Sequence, residues 1–84
     1  MASKSSHSSD RKNVVGERIR AVRLSSRPAV TQTALSARLA TAGITIDQSA
    51  IARIESGSRG ISDVEVIAIA RALRVGVNEL FPKD

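Results

Sequence analysis

From Val64 to Leu73 almost every position is apolar: Val64, Val66, Ile67, Ala68, Ile69, Ala70, Ala72 and Leu73. Ser62 and Glu65 stand at the start of this run in S-x-x-E spacing, where each side chain can satisfy the other's backbone N–H at a helix start. A helix apolar on nearly all sides has to be covered on nearly all sides. A chain of 84 residues has room for only one small core. This helix is therefore predicted to be the centre of that core, or to meet a second subunit as well.

The rest of the chain reads as shorter helices. Asn13 can cap a first one, in which Val15, Ile19 and Val22 form an apolar stripe. It should stop near Ser25 and Ser26, because Pro28 disfavours helical backbone just before it. Thr31 is the N-cap expected for a second helix. Leu35 and Leu39 give that helix its buried side, and Gly43 offers a left-handed stop. Ile44-Thr45-Ile46 has no partner strand and is read as the turn. Asp47 caps a third helix, 47–56, whose Ile51 and Ile54 face inward. At about 100° per residue, Ser49, Ala52, Arg53 and Ser56 lie opposite them. After the fourth helix Gly76 interrupts, Asn78 can cap, and Glu79-Leu80-Phe81 makes one last turn before Pro82. Residues 1–12, with five serines between Ser3 and Ser9, bury too little apolar area to offset their ordering entropy and are expected to be disordered. The folded domain is expected over 13–82.

Composition removes several function classes. No cysteine is present, so there is no disulfide, thiolate metal site or cysteine nucleophile. The single histidine, His7, lies in the serine-rich tail, which argues against a histidine zinc site or a catalytic triad. Phe81 is the one aromatic residue, so a stacking platform for single-stranded nucleic acid is not expected. No apolar run approaches the roughly 20 residues of a membrane span. No nucleophile–base set is visible, Asp63 and Glu65 read as capping residues, and an enzyme is not expected. The reading is therefore a cytoplasmic protein without metal or cofactor. The net charge is +5, and it is uneven: residues 1–59 carry ten basic and four acidic side chains, residues 60–84 three and four. One side of the molecule is thus suited to a polyanion.

Five blocks follow one another in order: Gly16-Glu17-Arg18-Ile19-Arg20-Ala21-Val22-Arg23, Thr31-Gln32-Thr33-Ala34-Leu35-Ser36, Ile51-Ala52-Arg53-Ile54-Glu55-Ser56-Gly57, Ile69-Ala70-Arg71-Ala72-Leu73 and Val77-Asn78-Glu79-Leu80-Phe81. Together they resemble the Cro/phage-repressor type of helix-turn-helix transcription regulators, the xenobiotic-response-element family. The resemblance implies an all-α, compact five-helix, lambda-repressor-like DNA-binding domain. The stretches from Arg23 to Gln32 and from Leu35 to Ile51 are longer than the family's usual pattern, so a looser turn around Gly43 is expected between the two motif helices.

In this family the second helix crosses the phosphate backbone and the third enters the major groove with its N-terminal residues. Carried onto this chain, that makes Gln48, Ser49 and Arg53 the expected base contacts. The Gln48 amide can donate and accept together, as adenine requires; Arg53 suits guanine or a phosphate alike. Ser49 and Ala50 are small enough to let the helix sit deep. Thr31 and Gln32, at the start of the second helix, are expected at a phosphate. Ser58 and Arg59, with backbone N–H groups of their glycine-flanked loop, form an expected phosphate clamp. Arg11 and Lys12 suit either a backbone-following arm or a solvated tail. Glu55 would repel DNA unless neutralised, and the resemblance pairs it with Arg23 as scaffold.

The implied function is sequence-specific recognition of double-stranded DNA by a homodimer on a pseudo-palindromic operator, since one small module buries little surface. Val75, Val77, Leu80 and Phe81 are the dimer-interface candidates, the alternative being that they close the core. A different class of function is an antitoxin-type module whose main partner is a toxin or another protein and whose DNA binding is autoregulatory.

Overall fold

The structure, a computed structural model, describes residues 10–83. Among them the chain forms α1 (Gly16–Ser25), α2 (Gln32–Thr41), α3 (Gln48–Ser56), α4 (Asp63–Leu73) and a one-turn 3-10 helix (Val77–Leu80), with no strand. The expected fifth helix is thus a single 3-10 turn. Phe81, just before Pro82, is extended at φ −99° and ψ 150°, which ends the turn where proline demands. Asn78 lies inside that turn, and Gly76 stands at its cap position without a side-chain hydrogen bond.

The caps explain where the other helices begin. Thr31 Oγ1 accepts from the Ala34 N–H at 3.0 Å, and Asp47 Oδ1 from the Ala50 N–H at 2.8 Å. At α4 both halves of the capping box are formed: Glu65 N–H donates to Ser62 Oγ at 3.1 Å, and Ser62 N–H to Glu65 Oε1 at 3.0 Å. Asn13 works from further out, its Oδ1 accepting from the N–H groups of both Val15 and Gly16. The stretch between α2 and α3 is a turn. Gly43 at φ +86° ends α2, Ile46 is buried, and Ser36 Oγ donates to Ile46 O at 2.8 Å.

One stripe of α4, Val66, Ile69, Ala70 and Leu73, is buried against Ile19, Leu35, Leu39, Ile51, Ile54 and Leu80. The opposite stripe is not covered: Val64 is 60% and Ile67 42% exposed. The expectation that α4 is the centre of the core is therefore corrected: it lies at the edge of the core, and its uncovered stripe is consistent with the alternative of a side that meets a second subunit. Leu80 is also corrected as an interface candidate, since it is wholly buried and has no surface for a partner. Val75 is half-buried, and Val77 and Phe81 are exposed. Arg18 Nε donates to Glu79 O at 3.1 Å and fastens α1 to the final turn. No helix among the described residues is long and apolar enough to cross a membrane.

Candidate nucleic-acid interface

The recognition face expected from the sequence is built on α3. Its inner side is Ala50, Ile51 and Ile54, all buried. Ala50 is thus a core residue and not part of an exposed reading surface. Gln48, Ser49 and Arg53 are exposed on the outer side. Asp47 is occupied by its capping bond, so its carboxylate is turned to the helix N-terminus, where the dipole favours negative charge.

Behind this face lies a chain of side-chain hydrogen bonds. Arg23 and Glu55 are 5% and 6% exposed. Arg23 grips the carboxylate with two parallel bonds, Nε to Oε2 at 2.7 Å and Nη2 to Oε1 at 2.8 Å. Its Nη1 donates to Val30 O at 2.9 Å. The hydrogen bond from Glu55 raises the Arg23 pKa further, against the opposing effect of burial. Gln32 Nε2 donates to the same Glu55 Oε1 at 3.0 Å, and Gln48 Nε2 donates to Gln32 Oε1 at 2.7 Å. A buried ion pair is thereby connected, through one amide, to the exposed first residue of α3.

This chain gives Gln32 a further task. One hydrogen of its amide nitrogen goes to Glu55 and its oxygen accepts from Gln48, so the side chain is a bridge that keeps one amide hydrogen for a phosphate. Gln48 spends one of its two amide hydrogens inward. Its oxygen and second hydrogen remain, one acceptor and one donor side by side. Thr31 is exposed, its oxygen accepting the capping bond.

The loop after α3 is used differently from the expected clamp. The N–H groups of Gly57, Ser58 and Arg59 all turn back onto the carbonyls of Ile54 and Arg53. They cap the helix end, which needs donors for its free carbonyls, and are not available to a phosphate. Gly57, at φ +87°, makes this left-handed turn. The Ser58 hydroxyl stays exposed. Arg59 faces Glu65 with two contacts of 3.3 Å, so its charge is partly neutralised. The same contact, with help from the Ser62 backbone, holds the Glu65 carboxyl below its ordinary range despite partial burial.

Arg11 and Asn13 form part of this site although the sequence placed Arg11 in the tail. Residues 1–9 of that tail lie outside the described residues, but from Arg11 on the chain is docked on the end of α3. Arg11 donates from Nη2 to Glu55 O at 2.9 Å and from Nη1 to Ser56 O at 3.2 Å. Lys12 N–H donates to Gly57 O at 2.7 Å. Asn13 Nδ2 reaches both Ile54 O and Arg59 O. A Cβ on Gly57 would lie 2.7 Å from Arg11 Cζ, so the glycine also makes room for this guanidinium. The two ends of α3 are therefore held differently: at the start Gln48 bonds to Gln32 of α2, and at the end Glu55 pairs with Arg23 of α1 while residues 11–13 hold the last carbonyls.

Comparison with known proteins gives one finding of substance. A helix-turn-helix family model matches residues 19–80, which include α2, the turn, α3 and α4. No curated protein and no solved structure matches the chain.

Proposed function

The chain belongs to the Cro-type helix-turn-helix family of DNA-binding regulators, and from that premise we propose that it reads operator DNA with the start of α3, as a homodimer on a pseudo-palindromic site. The observation that carries this reading is the bonded series Arg23–Glu55–Gln32–Gln48. It neutralises the one carboxylate that would oppose DNA on α3's inner side. It also orders the exposed Gln48 while leaving its amide one acceptor and one donor, the pair that matches an adenine edge in the major groove. A contact whose side chain is already ordered loses less entropy on binding.

Ser49 and Arg53 extend the reading surface along α3. Phosphates on either side are met by the N-terminal N–H groups of α2 with the Thr31 hydroxyl, by the Ser58 hydroxyl, and by the part of Arg59's charge left over from Glu65. The exposed Val77 and Phe81, with Val75 beneath them, are the surface for the second protomer.

Selection of binding sites from random duplexes with the purified chain tests this. Enriched sequences are expected to contain two inverted half-sites about one helical turn apart. Affinity should fall with a log–log salt slope near −5 if about six phosphates are neutralised. No enrichment, or equal affinity for single strands, would refute the proposal.

A further inference from the structure

Two adjacent recesses lie on a side of the molecule to which α3 contributes no residue. The first, of about 350 Å³, is an apolar groove between the end of α2 and the outer stripe of α4. Ile44, Val64, Ile67, Ala68 and Ala72 line it, and Arg38 and Arg71 stand at its rim. The second, of about 330 Å³, is polar and is bordered by Arg27, Arg38 and Arg74. Arg38 belongs to both, so the two form one continuous surface.

Four arginines border this surface, all exposed, and none of them is in an ion pair among the described residues. Of the other arginines, Arg11, Arg18, Arg23 and Arg59 each face a carboxylate, while Arg20 and Arg53 are exposed and, among the described residues, unpaired on α1 and α3, outside these two recesses. Arg38 is held in place by donating to Ala72 O at 2.8 Å, which leaves its charge uncompensated. The apolar side chains beside it recur at i, i+3 and i+4 along α4, Val64, Ile67 and Ala68, the pattern that accepts a helix in a groove.

We infer that this face is a docking site for an acidic amphipathic segment of a partner protein. Its apolar side chains fill the α4 groove and its carboxylates meet Arg38, Arg71, Arg74 and Arg27. A second copy of the chain is disfavoured, because it would bring two sets of uncompensated arginines together without a carboxylate between them. A duplex would satisfy the arginines but offers nothing to the exposed Val64 and Ile67. A small anion would engage one recess only. The inference does not rest on the DNA-reading proposal, since it uses none of that site's residues.

The test uses the purified chain and a fluorescent synthetic helix of about fifteen residues, with leucines at i, i+3, i+4 and i+7 and glutamates elsewhere. A control peptide has lysine for glutamate. The acidic peptide is expected to bind and to move the NMR signals of Val64, Ile67, Ala68 and Arg71, with the signals of α3 unmoved. Ile67→Gln should weaken it about tenfold through lost apolar contact. Arg71→Gln with Arg74→Gly should weaken it by a similar factor and flatten its salt dependence. All three positions are exposed, and glycine suits the positive φ of residue 74, so melting temperature and duplex binding through α3 should hold. Equal binding of the lysine peptide, indifference to Ile67→Gln, or signal changes confined to α3 would overturn the inference. So would a duplex that displaces the peptide from this face, or self-association of the chain that Ile67→Gln abolishes.

Discussion

Glu55→Ala is the perturbation whose consequences the structure defines most fully. The carboxylate accepts two bonds from Arg23 and one from Gln32, and almost none of it meets solvent. Its loss leaves a buried guanidinium whose one remaining partner is Val30 O. Removing one side of a buried pair costs about 3–5 kcal/mol. In a domain of this size each kcal/mol lowers the melting temperature by roughly 4–8 °C, so a fall of roughly 12 °C or more is expected. Since small domains have only about 5–15 kcal/mol in total, the variant should be partly unfolded at moderate urea. Arg23→Ala should cost about as much, because it leaves the buried Glu55 carboxylate with only its bond from Gln32. The double change Arg23→Met with Glu55→Leu replaces the pair by apolar side chains and should recover most of the stability, as buried pairs elsewhere do. Because Gln32 has then lost Glu55, the double variant should still bind operator less selectively than the original chain. Urea and thermal melts followed by circular dichroism give the double-mutant cycle. Single changes costing below about 1 kcal/mol, the range of exposed pairs, would refute the view that this pair holds α1 to α3.

Gln32→Ala removes the bridge without exposing a charge, and should relax base preference where Gln48 reads while leaving the salt slope unchanged; binding to single-base operator variants checks this. Arg11→Ala should speed amide exchange in Ser56–Arg59 and weaken all duplexes alike, since the α3 end loses two carbonyl partners. Glu65 has a depressed pKa, so its contribution is full above the ordinary glutamate value of 4.5 and is lost as pH falls through its lower folded value. Melting temperature should therefore drop in that acid window, and Glu65→Gln should reduce the drop.

The elements themselves were legible because each carries a local signal. Thr31, Asp47 and the Ser62–Glu65 box mark helix starts in chemistry that operates within three residues, and Gly43 and Gly57 mark ends by the backbone they permit. The outer stripe of α4 could not be placed from the sequence, for a physical reason. Val64 and Ile67 are apolar, and apolarity alone does not say whether a small domain has enough neighbours to cover both sides of one helix. Leu80 and Phe81 present the same problem in adjacent positions, one buried and one exposed. In the candidate site, Gln48 and Arg53 could be placed from helical spacing. The bond from Gln32 to Gln48 could not, because it joins residues across the turn and depends on how α2 and α3 cross. Arg11 was hidden for a further reason: its neighbours are polar, and the partners that dock it on α3 are backbone carbonyls, which leave no side-chain pattern to find. The three N–H groups after α3 looked free only because the cap that uses them is formed by the same loop.

The most direct measurement of the central claim is the affinity of Gln48→Ala for the selected operator and for every single-base variant of it. Gln48 is exposed and caps no helix, so the melting temperature should hardly change. Losing a bidentate base contact costs about 1–3 kcal/mol, roughly ten- to hundredfold in Kd per half-site. That loss is expected on the selected operator, with preference relaxed at one symmetric A·T pair and an unchanged salt slope. A uniform loss across all sequences, or none at all, would contradict that claim.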